Sequence, residues 1–293
     1  VVALCAAAPA PAEGGWAHPR DDAAIKAMMA SWQEARRGYD GLAGVMSLLP
    51  PERARDLDAG YEQALEAGPD PDPFDERGFI GLHALERVLW AERVPAAVLD
   101  HEATLEDALA PAFPASKEEA ARFRDELCAR AVEDTGAVEG EVEALSLDAL
   151  EAYAIVDRLA DGQIDMLLEA GEQREASRYA GFTLADLRAR LATAAAVQAA
   201  FRPWLGAKDG GPHVDGEVQE ALDRLDKQYA AYGTDALPAP PEGWSNVAFT
   251  EEALKSPFGR LYAVVANETN SDLDGSLTHS WHECATLLGI DVP

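Results

Sequence analysis

The sequence has no run approaching the ~18 consecutive apolar residues that a helix needs to cross a bilayer. Basic residues are scarce: 24 Lys and Arg stand against 53 Asp and Glu, a formal charge of −29 over 293 residues. A surface that acidic repels phosphate backbones and anionic headgroups, so nucleic acid is excluded as a partner class and peripheral docking on anionic membranes is disfavoured. Aromatics make up only 7%, yet 48% of the residues are hydrophobic, which is too apolar for a disordered chain. Several enzyme signatures are missing. There is no His-Glu-x-x-His, and the inverted form fails because Arg87 follows Glu86. No Gly-x-Ser-x-Gly, P-loop or dinucleotide glycine fingerprint occurs.

Cysteines number three. Val1 to Ala8 is apolar or small apart from Cys5, and Ala10-Pro11-Ala12 has the small-x-small form of a signal-peptidase site ahead of Glu13. Residues 1–12 therefore read as the remnant of a signal peptide, and export to the periplasm or cell envelope is expected. A lipoprotein signal would need a small residue before Cys5, where Leu4 stands. With Cys5 leaving with the leader, Cys128 and Cys284 remain, and their separation leaves a bond between them open.

What is present is helical periodicity. Apolar residues recur every 3.6 positions, Ala and Leu dominate, and no stretch alternates like a strand. The pattern predicts helices over 20–47, 52–67, 76–93, 96–110, 117–143, 147–171, 183–202, 215–232, 251–268 and 276–288. Ser116 with Glu119 is a capping box, Thr183 with Asp186 imitates one, and Ser256 precedes a proline at a first helical position. Breaks fall at 68–73, 206–212 and 237–243. The expected fold is all-α with two helical-bundle domains, 16–145 and 146–293.

Six histidines narrow the search for chemistry. His83 and Glu86 are three apart on a helix, about 60° around its axis, on a flank shared with Phe79 and Trp90. Imidazole and carboxylate are both ligands of first-row metals, and this spacing lets one cation bridge them. Gly78 and Gly81 interrupt a segment that would prefer alanine by about 1 kcal/mol each, which points to a close neighbour. On the first long helix Trp32, Arg36 and Tyr39 share a stripe with Ile25 and Met29. An arginine there either snorkels to water or pairs with a buried acid, Glu86 or another. His279, His282 and Glu283 offer three more potential ligands. They oppose the apolar face of Leu277, Trp281, Cys284 and Leu288, so a solvated surface rather than a metal site is expected.

Gly81-Leu-His-Ala-Leu-Glu86, followed by Leu89-Trp90, resembles the Gly-x-His-x-x-Glu hallmark of the imelysin family. Trp32-x-x-Ala35-Arg36-x-x-Tyr39 resembles that family's first helix, and Glu175 to Leu187 resembles its Glu-Ser-x-Tyr/Phe-Ser and Thr-x-x-Asp block. The chain departs from the pattern over Asp40 to Val45, at Ala180 where a serine is common, and at Arg190 where an asparagine is common. The resemblance implies an exported protein of two helical bundles, associated with iron uptake and with partners in an iron-transport system. It gives His83 and Glu86 a metal-binding role, with iron favoured and zinc open, and makes Arg36, Tyr39 and Ser177 site neighbours. The family also carries a peptidase label. Two alternatives therefore stand beside metal binding: a zinc peptidase using the same pair, which lacks a local third ligand, and a scaffold without metal.

Overall fold

The structure is a computed structural model describing residues 1–67, 72–104, 111–172 and 174–291. Among the described residues every regular element is helical, so the chain is all-α. The expected break over 68–71 and the expected helix end over 105–110 lie outside the described residues. No described helix is long and apolar enough to cross a membrane.

The chain forms two compact units. The first comprises Val1–Gly38, Val45–Leu145 and the short segment Ser177–Gly181. Its helices are α1 (Val2–Ala6), α2 (Asp22–Gly41), α3 (Ala43–Met46), α4 (Pro51–Ala54), α5 (Gly60–Ala67), α6 (Gly81–Leu89), α7 (Ala96–Glu102), α8 (Lys117–Arg122) and α9 (Cys128–Ala144). Residues 39–44, at the α2–α3 turn, count with the second unit. A π-helical turn, Arg55–Ala59, joins α4 to α5, and another, Phe123–Leu127, joins α8 to α9.

Ile25, Met28, Trp32 and Arg36 form the buried stripe of α2. Trp32 closes against α6, its indole N–H donating to the Leu82 carbonyl at 2.8 Å. All nine residues of α6 are buried. That helix starts at Gly81, later than its periodicity predicts, because Gly81 takes φ +80°. A Cβ there would stand 2.5 Å from the Leu57 carbonyl oxygen. The close neighbour anticipated from the glycines is thus the π turn itself. Ser116 caps α8 as expected, accepting the Glu119 N–H.

Cys5 is disulfide-bonded to Cys128, and Leu4 is fully buried. Residues 1–12, expected as a signal remnant, thus contribute a covalently tied helix to the first unit. The open Cys128–Cys284 pairing is not made, because Cys128 is already taken; Cys284 is free and buried.

The second unit comprises Tyr39–Gly44, Ser146–Ala176 and Phe182–Pro293. Its helices are α10 (Ala149–Gly171), α11 (Thr183–Leu205), α12 (Gly211–Ala230), α13 (Glu251–Lys255), α14 (Pro257–Glu268) and α15 (Leu277–Leu288). Val156, Leu159, Leu187, Leu225, Leu261 and Trp281 meet in its core. Asp148 and Glu151 form a reciprocal capping box at α10 that the sequence reading passed over. The box expected at Thr183 is absent: Thr183 is already helical, and the Asp235 carbonyl accepts from the N–H groups of Leu184 and Ala185. Ser256 splits the helix expected over 251–268, capping α14 with Pro257 behind it. Arg190 pairs with the buried Asp40 at 2.9 Å.

Candidate functional site

Three elements of the first unit converge on His83. The α6 helix carries His83 and Glu86, the π turn carries Asp58, and α2 carries Arg36. A π turn inserts one residue into the helical repeat and re-aims its side chains, a device frequent at functional sites. Here it brings Asp58 Oδ1 to 2.8 Å from His83 Nε2 and 2.5 Å from an Arg36 guanidinium nitrogen. On the other edge of the ring, His83 Nδ1 is 3.2 Å from Glu86 Oε2. Glu86 Oε1 in turn accepts the Ala180 N–H at 2.8 Å. His83, Glu86 and Arg36 are buried, whereas the Asp58 side chain is 27% exposed.

Electrostatics follow from that arrangement. Burial alone would lower the His83 pKa, but the charge and hydrogen bond of Asp58, with the hydrogen bond of Glu86, raise it to about 9. Burial would push Asp58 up, yet Arg36 and His83 overcome it and hold its carboxyl below the ordinary range. At neutral pH the site is therefore an imidazolium donating from both nitrogens, with Arg36 as a second cation on Asp58.

The donor set is one that a first-row cation accepts: imidazole nitrogen and carboxylate oxygen. The two carboxylates, however, sit on opposite edges of the ring, so one ion cannot meet all three groups. Only the Nε2–Asp58 edge opens to solvent. Among the described residues no three His, Cys, Asp or Glu side chains are poised around one point to hold an ion.

Of the residues singled out from sequence, Arg36, His83 and Glu86 come together, linked by Asp58. Arg36 pairs with Asp58. Ser177 is buried in the same unit, three residues before the Ala180 amide that holds Glu86. Tyr39 is half-buried and belongs to the second unit. His282 bonds Asp157 at 3.0 Å, and His279 Nδ1–H donates to the Ser271 carbonyl at 2.9 Å, with Nε2 3.8 Å from Glu283. Neither joins His83 in a site among the described residues.

Sequence reasoning missed Asp58 and the polar groups packed beside His83. Tyr61 lies with its ring 5.6 Å from the His83 ring, and its hydroxyl is 2.5 Å from that of Tyr179. Tyr179 donates to Glu102, and Arg178 pairs with Glu62 at 2.8 Å. Tyr179 belongs to a block already matched to a family pattern, which was the available signal; Asp58 had none.

The sequence model of the family described as Imelysin, peptidase family M75, matches residues 1–260. That match spans most of the chain, and the protein belongs to the imelysin family, which is associated with iron uptake. No curated protein matches it.

Proposed function

We propose that this protein serves iron uptake at the cell envelope, taking a first-row metal ion as cargo between His83 Nε2 and Asp58. The observation that carries this reading is the carboxylate on each imidazole nitrogen. Glu86 on Nδ1 fixes the ring and raises its basicity, as acids behind ligand histidines do, while Nε2 faces the solvent-reachable Asp58. The His83 proton and Arg36 hold the charge of Asp58 until an ion arrives. A dication that displaces the proton adds one net charge to the interior rather than two, which limits the desolvation cost. Oxygen and nitrogen donors completed by water suit iron, with zinc the nearest competitor. The Cys5–Cys128 disulfide supports an oxidising compartment outside the cytosol, where transport-system partners would meet the cargo.

Two other readings stay in play, each with its own support. A zinc hydrolase takes three protein ligands and an open position, and Nε2 with Asp58 supplies two. A scaffold role is favoured by both His83 nitrogens already having partners.

Anaerobic calorimetric titration with ferrous ion at pH 6, 7 and 8 tests the proposal. One proton is displaced from a group titrating at about 9, so affinity should rise about tenfold per pH unit and vanish in His83→Gln. Absence of binding at every pH leaves the scaffold. Metal-dependent cleavage of casein, abolished by Glu86→Gln, makes the protein a hydrolase.

A further inference from the structure

The phenols beside His83 form a second constellation that the proposed cargo site does not use. Tyr61 and Tyr179 are fully buried, and their hydroxyl oxygens stand 2.5 Å apart. Tyr179 spends its one proton on Glu102 Oε1, so Tyr61 donates to Tyr179. Glu102 is itself buried at 4% exposure, and its second oxygen, Oε2, is buried without a hydrogen-bond partner among the described residues. An unmet carboxylate oxygen is costly in a core. It stands at the end of a chain of three hard oxygen donors.

We propose that Tyr61, Tyr179 and Glu102 bind a hard trivalent cation, with ferric iron as the ligand class. The spacing suits it. Two oxygens cis on an octahedral ion, each about 2.0 Å from it, lie about 2.8 Å apart, so the hydroxyls need to part by only a few tenths of an ångström. Charge selects the oxidation state. Two phenolates and one carboxylate sum to −3, which a trivalent ion cancels; a divalent ion would leave a net charge buried. Arg178 supports the phenolate form, its guanidinium carbon lying 5.8 Å from the Tyr61 ring centre and 5.3 Å from that of Tyr179. Its own charge is met by Glu62. Without an ion, burial holds both phenols well above their ordinary pKa and keeps them neutral. Loading therefore forms two Fe–O(phenolate) bonds and one carboxylate bond and releases two protons to solvent, with no change in oxidation state. The site is separate from the His83 reading and stands whether or not His83 holds an ion.

The test is equilibration of the full chain with ferric nitrilotriacetate, reading the visible phenolate-to-ferric charge-transfer band and the protons released in weak buffer. The expected result is a coloured one-to-one complex releasing two protons per ion. The band should disappear in the double variant Tyr61→Phe/Tyr179→Phe and weaken in each single one, while His83→Gln keeps it. Circular-dichroism melts check that each variant folds. Should a phenylalanine variant not fold, Glu102→Gln is expected to weaken loading at least tenfold with the band still present. A colourless wild type, a band that survives the double variant, loading unchanged by Glu102→Gln, or a band lost in His83→Gln overturns the proposal.

Discussion

Two imidazoles in the first unit are each clasped by two carboxylates, and they differ in where water stands. His18 has Asp22 on Nδ1 and Glu92 on Nε2, the latter at 2.9 Å, with side chains 38–57% exposed. His83 has Glu86 and Asp58 in the same roles but is 6% exposed, and Glu86 not at all. Identical donor sets produce different physics. At His18 solvent screens every charge, and the raised pKa, led by the Asp22 hydrogen bond, reflects a surface ion pair. At His83 the ring, Glu86 and Arg36 are all out of water and each charge must be answered by another, which explains Arg36, the Ala180 amide and the π turn. Burial, not composition, turns a His–carboxylate cluster into a tightly coupled site.

The comparison breaks most readily at the two acids. Asp58→Ala takes from Arg36 and the His83 imidazolium the carboxylate they share, a loss of about 3–5 kcal/mol. Urea unfolding should show that loss, and an unchanged midpoint would mean the charges are not coupled as drawn. A pH series sharpens the contrast. The folded His83 pKa, about 9, lies above the unfolded value near 6.5, so its contribution is complete below about pH 6.5 and lost as pH climbs through 9. Asp58 is shifted the other way, and its contribution disappears only in acid. Thermal melts should fall between pH 6.5 and 9 by on the order of 3 kcal/mol, and His83→Gln should flatten that slope. Gly81→Ala acts on the support rather than the charges. Its Cβ would strike the Leu57 carbonyl at a positive φ, so a loss of about 2 kcal/mol is expected in the same urea assay. Smallest of all, Asp22→Ala at the exposed cluster should leave the urea midpoint indistinguishable from wild type.

Which parts were legible in the sequence follows from range. The helices show because their periodicity is local, and the His83–Glu86 contact shows because three residues on a helix make neighbours. The buried arginine shows because a charge in an apolar stripe demands a partner. The partner's identity does not, since Asp58 is one of 53 acids and reaches His83 only through a π turn that no residue pattern announces. The start of α6 was misplaced because hydrophobic spacing continues through Gly78 and Gly81, whose positive φ values interrupt the helix. The N-terminal segment is ambiguous for a different reason. Small and apolar residues suit a leader and a packed helix equally, and the partner of Cys5 lies 123 residues away.

The five residues Ser177–Gly181 give this architecture an order of assembly. They belong to the first unit, but the chain reaches them only after α10, which belongs to the second. A polypeptide emerging amino-terminus first thus presents Asp58, His83 and Glu86 long before the Ala180 amide that completes Glu86 or the Tyr179 hydroxyl that meets Tyr61. Cutting the gene at residue 145 would not yield a finished first half. It would yield a fragment with polar groups in its interior still waiting for partners, and the two halves must be inherited and synthesised as one piece.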